Sequence, residues 1–140
     1  MKNGFVAVDV LDAYVLVLEH DLEYLVQIVQ QLTRIGVRRY EWKASGLQVL
    51  AFAKTMPRVD LILIELYLPI EDGFAVVKKI KKAPEFRNTR LVAMCHPLPG
   101  EVKKAQAAGF HGFITKPIDP DTFPNQIHRI LRGEEVWPKR

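Results

Sequence analysis

The stretch Asp60-Leu61-Ile62-Leu63-Ile64-Glu65-Leu66-Tyr67-Leu68-Pro69-Ile70-Glu71-Asp72-Gly73-Phe74 decides the fold. Between Asp60 and Glu65 the aliphatic residues run without polar alternation, the pattern of a strand buried on both faces. Such a strand needs a packed layer above it and another below. Pro69 and Asp72-Gly73 then supply turn chemistry, and Val76, Val77 and Ile80 follow at helical spacing to about Lys82. Strand, polar turn and helix in this order form part of a parallel βαβ unit.

The same alternation extends in both directions. Upstream, Tyr14 to Leu18 reads as a buried strand ending in Glu19-His20-Asp21, and Leu22, Leu25, Val26, Val29, Leu32 and Ile35 form a helical stripe stopped by Gly36. Val37 to Lys43 suits a strand, and Ser45 suits the cap of a helix through Lys54, with Pro57 before the next strand. Downstream come a strand at Leu91 to Cys95, a helix from Glu101 to Ala108 ended by Gly109, and a strand at Gly112 to Thr115. Asp119 or Asp121 caps a last helix carrying Phe123, Ile127, Ile130 and Leu131, with Pro124 near its first turn. The expectation is an α/β domain: a five-stranded parallel sheet with helices on both faces and its site at the carboxyl ends of the strands. It divides the chain into an N-terminal extension at 1–13, a domain at 14–132, and a tail or linker stump at 133–140.

Composition agrees with one compact domain, since 140 residues with 49% hydrophobic content can bury a continuous core. Aspartates at positions 9 and 12 interrupt what a signal peptide or anchor would need as an apolar run, and the single cysteine, Cys95, excludes an internal disulfide. These features predict a cytoplasmic protein with no membrane partner. A net charge of +4 raises the question of nucleic acid. Lys78, Lys79, Lys81 and Lys82 flank apolar positions at helical spacing without interleaved aromatics, so a solvated helix face is expected instead.

The polar residues just after the strands carry the chemistry: Glu19 and His20, Glu65, Cys95, and Lys116 after Thr115. Two acids, an imidazole, a thiol and an ammonium group at four strand ends are brought from far apart in sequence to one edge of the sheet. With these residues in place, the chain resembles the receiver domain of bacterial two-component response regulators from about Tyr14 to Leu131. The acidic cluster after the first strand, the Asp60 to Phe74 segment, Ala107-Ala108-Gly109-Phe110 and Phe113-Ile114-Thr115-Lys116-Pro117 carry the resemblance. It implies a flavodoxin-like receiver fold with strand order 2-1-3-4-5, a histidine kinase or an output domain as partner, and a face of fourth helix, fifth strand and fifth helix used for output and homodimers. It also implies a cis bond before Pro117 and Phe113 as the switch aromatic.

The resemblance places Glu65 at the phosphoacceptor position, where receivers carry aspartate. A glutamate sets its carboxylate ~1.5 Å farther from the backbone, and a displacement of ~1 Å costs phosphoryl transfer on the order of a hundredfold. Glu19, His20 and Tyr67 occupy the acidic and metal-site positions, and His20 offers nitrogen where Mg²⁺ prefers oxygen. Cys95 takes the place of the hydroxyl residue and is a weak hydrogen-bond donor. Lys116 is retained. The expectation is therefore a degenerate receiver, a pseudo-receiver with weak or absent Mg²⁺, no other cofactor and no enzymatic activity, acting by protein contact.

Two readings of the retained lysine stay open: Glu65 reaches Lys116 and imitates a phosphorylated state, or the pair is a remnant in a solvated pocket, worth about 1 kcal/mol or less. His96, Pro97 and Pro99 narrow and stiffen the loop after Cys95. Competing functions are a receiver phosphorylated slowly and a transition-metal site built from Cys95, His96, His20 and the two glutamates. A nucleotide or flavin site lacks its phosphate-cradling loop, since Glu19-His20-Asp21-Leu22 is acidic, and Cys95-His96 has no recognisable third member for a hydrolase.

Overall fold

A computed structural model describes residues 6–138. The first five residues of the expected N-terminal extension and the last two of the expected tail lie outside the described residues. The strands are β1 (Tyr14–Leu18), β2 (Arg39–Lys43), β3 (Leu61–Glu65), β4 (Arg90–Cys95) and β5 (Gly112–Thr115). The helices are α1 (Leu22–Arg34), α2 (Val49–Ala53), α3 (Gly73–Lys82), α4 (Glu101–Ala108) and α5 (Phe123–Leu131), with a 3₁₀ turn at Pro84–Phe86. The sheet is wholly parallel in the order β2-β1-β3-β4-β5, as expected.

Apolar runs on the inner strands feed two cores, one on each side of the sheet. Leu16, Leu18, Ile62 and Ile64 point to one side with Val76, Val77 and Ile80 of α3, whereas Val15, Val17, Leu61 and Leu63 meet Ile28 and Leu32 of α1 and Ile127 and Ile130 of α5. The strands cannot alternate polar and apolar residues because both of their faces are dry. Only β2, an edge strand, exposes much of its surface.

Three predicted boundaries are corrected. Helix α2 starts at Val49 rather than Ser45, whose hydroxyl accepts from the Leu47 amide at 3.3 Å in a local turn. Gln48 then takes a left-handed conformation, which a continuing helix cannot hold. Gly46 lies so close to the turn before α3 that an added Cβ would sit 2.2 Å from the Glu71 carbonyl oxygen, which fixes a tight loop here in place of a helical turn. Strand β2 begins at Arg39, because the Val37 amide closes the end of α1 by donating to Leu32 O at 3.0 Å. The start of α5 differs as well: Asp119 makes a local turn with the Asp121 amide at 2.9 Å, and Thr122 stands at the cap.

The sequence flanking 14–132 packs on the same core. Val10 and Val136 are buried, and the Val8 amide donates to Leu131 O at 2.9 Å. Val136 lies beside β5, where its carbonyl accepts from the Phe113 amide at 2.8 Å. Val136→Ala removes two buried carbon groups and is expected to cost about 2 kcal/mol at roughly 0.8 kcal/mol per methylene. Urea unfolding of the two proteins measures this; an unchanged midpoint would show that the segment does not pack as described.

Candidate functional site

The loops at the carboxyl end of the sheet are set by helix caps. Asp21 caps α1, its carboxylate accepting from the amides of Glu23 at 2.9 Å and Tyr24 at 3.4 Å, and Asp72 caps α3 through the Ala75 amide at 2.9 Å. These caps fix the residues on either side of them, Glu19 and His20 before α1 and Glu65 to Tyr67 before α3. Gly73 fits tightly under the end of β3, where a Cβ would lie 2.9 Å from Glu65 O.

Lys116 lies at the centre of the site. Its side chain is 3% exposed, and Nζ lies 2.6 Å from Glu19 Oε1 and 3.1 Å from Glu65 Oε1. The ring of Tyr24, from the first turn of α1, closes over the ammonium group at 4.4 Å, and His96 packs edge-on against that ring at 5.9 Å. The direct Glu65 to Lys116 contact is therefore present and is buried, not solvated. The lysine is shared with Glu19, a feature the sequence did not disclose.

The second oxygens of both glutamates turn toward His20. Glu65 Oε2 accepts from the His20 backbone amide at 3.2 Å and makes a short contact with His20 Nδ1, while Glu19 Oε2 accepts from the Asp21 amide at 3.1 Å and lies 3.9 Å from the same ring nitrogen. One ligand-type atom from each of Glu19, His20 and Glu65 lies within 4.8 Å of the others. The structure thus brings together Glu19, His20, Glu65 and Lys116.

The other expected residues stand around this group. Cys95 is buried at the end of β4, and burial pushes its thiol above the ordinary range, so it stays protonated at neutral pH. Tyr67 is half exposed and its hydroxyl donates to Glu101 at the start of α4, away from the carboxylate cluster; that hydrogen bond pushes the phenol up to about 12. Phe113 is buried in the core beneath α4. Tyr24 and Glu101 were missed by sequence reasoning. Tyr24 sits where a helix stripe is read for apolar contacts, and Glu101 reads as an ordinary first-turn acid.

Two carboxylates around one ammonium group cannot both be ionised cheaply. Burial, first of all, and the hydrogen bond to Glu65 push Glu19 up to about 7, against the opposing pull of Lys116. Burial acts on Glu65 in the same sense, but hydrogen bonds from Glu19 and from the side chain and amide of His20, together with Lys116, hold it below the usual carboxylate range. Protonated Glu19 therefore donates to ionised Glu65. Because Glu19 binds its proton more tightly folded than unfolded, its contribution to stability is complete below pH 4.5 and is lost as pH rises through about 7. Stability measured by denaturant unfolding is expected to fall across that window relative to Glu19→Gln, which lacks the titrating group; parallel pH profiles for the two proteins would refute this.

Residues 15–128 match the response regulator receiver domain family. The histidine-protein kinase BarA of Shigella flexneri is 30% identical over 111 residues, 79% of this chain, and the chain spans only 12% of that kinase's length. Fimbriae Z protein of Salmonella typhimurium is 31% identical over 118 residues, 76% of this chain and 55% of that protein. Among solved structures, the receiver domain of a Pseudomonas aeruginosa sensor histidine kinase, with magnesium coordinated in its active-site cleft, superposes with TM-score 0.76 at 22% identity. That match covers 87% of this chain and 98% of the other. The Vibrio cholerae chemotaxis response regulator CheY4 matches with TM-score 0.76 at 24% identity, over 84% of this chain and 98% of that one. A family match over most of the chain, the strand order, and a lysine at the end of β5 facing acids from β1 and β3 agree: the chain belongs to the response regulator receiver domain family.

Proposed function

We propose that this receiver domain works as a pseudo-receiver, passing a signal by protein contact without accepting phosphate and without catalysis of its own. The observation that carries the reading is the occupancy of the Glu65 carboxylate: Lys116 holds one oxygen and His20 the other, so neither is presented free for in-line attack on a phosphodonor. The extra methylene of glutamate places the carboxylate within reach of the lysine. The pair is buried, and removing one partner of a buried ion pair costs about 3–5 kcal/mol, which argues against an idle remnant.

The donor set also fits Mg²⁺ poorly. Mg²⁺ favours near-octahedral oxygen coordination, whereas His20 contributes an imidazole nitrogen and Lys116 engages an oxygen of each carboxylate. Weak or absent Mg²⁺ binding follows, and with it the loss of the ion that neutralises a transferring phosphoryl group. The buried Glu65 to Lys116 contact is a standing version of the contact that phosphate would make, so it supports a fixed output conformation, with Phe113 kept inside the core.

The partners of this reading are a histidine kinase or an output domain, in keeping with the histidine-protein kinase and the chemotaxis response regulator it resembles. The face of α4, β5 and α5 is the proposed contact and homodimer surface. Among the described residues no helix is long and apolar enough to cross a membrane, and a cytoplasmic setting suits both kinds of partner.

Intact-mass spectrometry after incubation with Mg²⁺ and a small-molecule phosphodonor tests the proposal, and no stoichiometric phosphoryl adduct is expected. Glu65→Asp alone is expected to stay unmodified, while Glu65→Asp combined with His20→Asp regains an adduct at position 65. A stoichiometric adduct on Glu65 itself, mapped by peptide digestion, would establish the slow-receiver reading instead.

A further inference from the structure

We propose that the altered pocket binds a divalent transition-metal ion of the zinc class, held by His20 Nδ1 and one oxygen each of Glu19 and Glu65. The inference deepens the phosphate-independent reading, because it gives the pocket an input other than phosphate. It rests on how the carboxylate oxygens are divided. Lys116 takes Oε1 of both glutamates, and Oε2 of both faces His20. A metal on the Oε2 side therefore need not displace the lysine.

The three donors already lie close to metal-binding geometry. Zinc bonds nitrogen and oxygen at about 2.0–2.2 Å, so tetrahedral donors stand roughly 3.3–3.5 Å apart. Here His20 Nδ1 is 3.9 Å from Glu19 Oε2 and within a short hydrogen bond of Glu65 Oε2. Binding needs one contact to open and the other to close, each by less than a side-chain rotamer change. Each Oε2 already accepts one backbone amide, from His20 for Glu65 and from Asp21 for Glu19, which orients the carboxylates and leaves a second lone pair for the ion.

Donor type sets the choice of ion. Imidazole with carboxylate is a zinc, copper or cobalt ligand set, and only hard cations such as Mg²⁺ would prefer an acid in place of His20. His20 has a side chain 45% exposed, so the ion has a route from solvent, while Glu19 is wholly enclosed. On binding, the metal takes the place of the hydrogen between Nδ1 and Glu65, the neutral ring carries its single N–H on Nε2 instead, and the proton held on Glu19 passes to solvent.

The test uses the whole chain stripped with chelator and titrated with Co²⁺, read by its visible absorption, then with Zn²⁺ and Mg²⁺ by calorimetry. One Zn²⁺ per chain, Zn²⁺ preferred over Mg²⁺, and displacement of Co²⁺ by Zn²⁺ are expected. His20→Ala should weaken Zn²⁺ by at least about tenfold while remaining folded with a cooperative melt, and His20→Asp should swing the preference toward Mg²⁺. Unchanged Zn²⁺ affinity in His20→Ala, or Mg²⁺ bound as tightly as Zn²⁺, overturns the site. Intact-mass measurement on the same samples keeps the two readings apart. No zinc binding without a phosphoryl adduct overturns only the metal site, whereas zinc binding with an adduct supports the metal site and overturns the phosphate-independent reading.

Discussion

A single buried ammonium group organises the carboxyl end of this sheet. Lys116, immediately after β5, is within 3.1 Å of carboxylates from the ends of β1 and β3, so three strands far apart in sequence are tied by one charge. A buried lysine is tolerated only when paired, and each glutamate is tolerated only because the lysine is there. The arrangement carries two acids for one base. It settles the imbalance by holding a proton on Glu19, the more enclosed acid, and by directing both the amide and the ring of His20 at Glu65. Tyr24 and His96 complete the enclosure from outside, which keeps the local dielectric low and the charges strongly coupled.

The sequence disclosed the parts of this arrangement that depend on periodicity. Leu61 to Ile64 could only be a doubly buried strand, and Glu65 therefore had to fall at its carboxyl edge, as did Glu19 after Leu18 and Lys116 after Thr115. Elements whose ends depend on tertiary contacts were less legible. Ser45 has the chemistry of a helix cap, but Gly46 is pressed against Glu71, and the chain must turn before Val49 can start α2. Val136 looks like part of a tail because no pattern surrounds it, and its role comes from the β5 edge it lies beside. Within the site, sequence placed the residues but not their oxygens. That Lys116 would take Oε1 of both glutamates and leave Oε2 of both to His20 is a matter of side-chain direction, which strand spacing does not determine.

Glu65 and His20 act on each other, and Cys95 stands apart from them. Glu65 meets Lys116 through one oxygen, and His20 gives its other oxygen a backbone and a side-chain donor. Cys95 requires nothing from the cluster, since its protonated thiol can sit in the core without a strong partner. Glu19, His20, Glu65 and Lys116 thus form a network in which both oxygens of each glutamate meet a donor.

A ligand moves a conformational equilibrium only by binding one state more tightly than the other. Here the lysine is already satisfied by two carboxylates, and the loop after β3 is fastened to the start of α4 through Tyr67 and the buried Glu101. On the proposed pseudo-receiver reading, an input would act either on α4, β5 and α5 directly, as a protein partner can, or on the oxygens that Lys116 leaves to His20. The second route stays coupled to the first, because an ion that draws Glu19 and Glu65 toward His20 also pulls on Lys116, whose backbone amide is bonded to Cys95 O at 2.9 Å and so joins the cluster to the ends of β4 and β5.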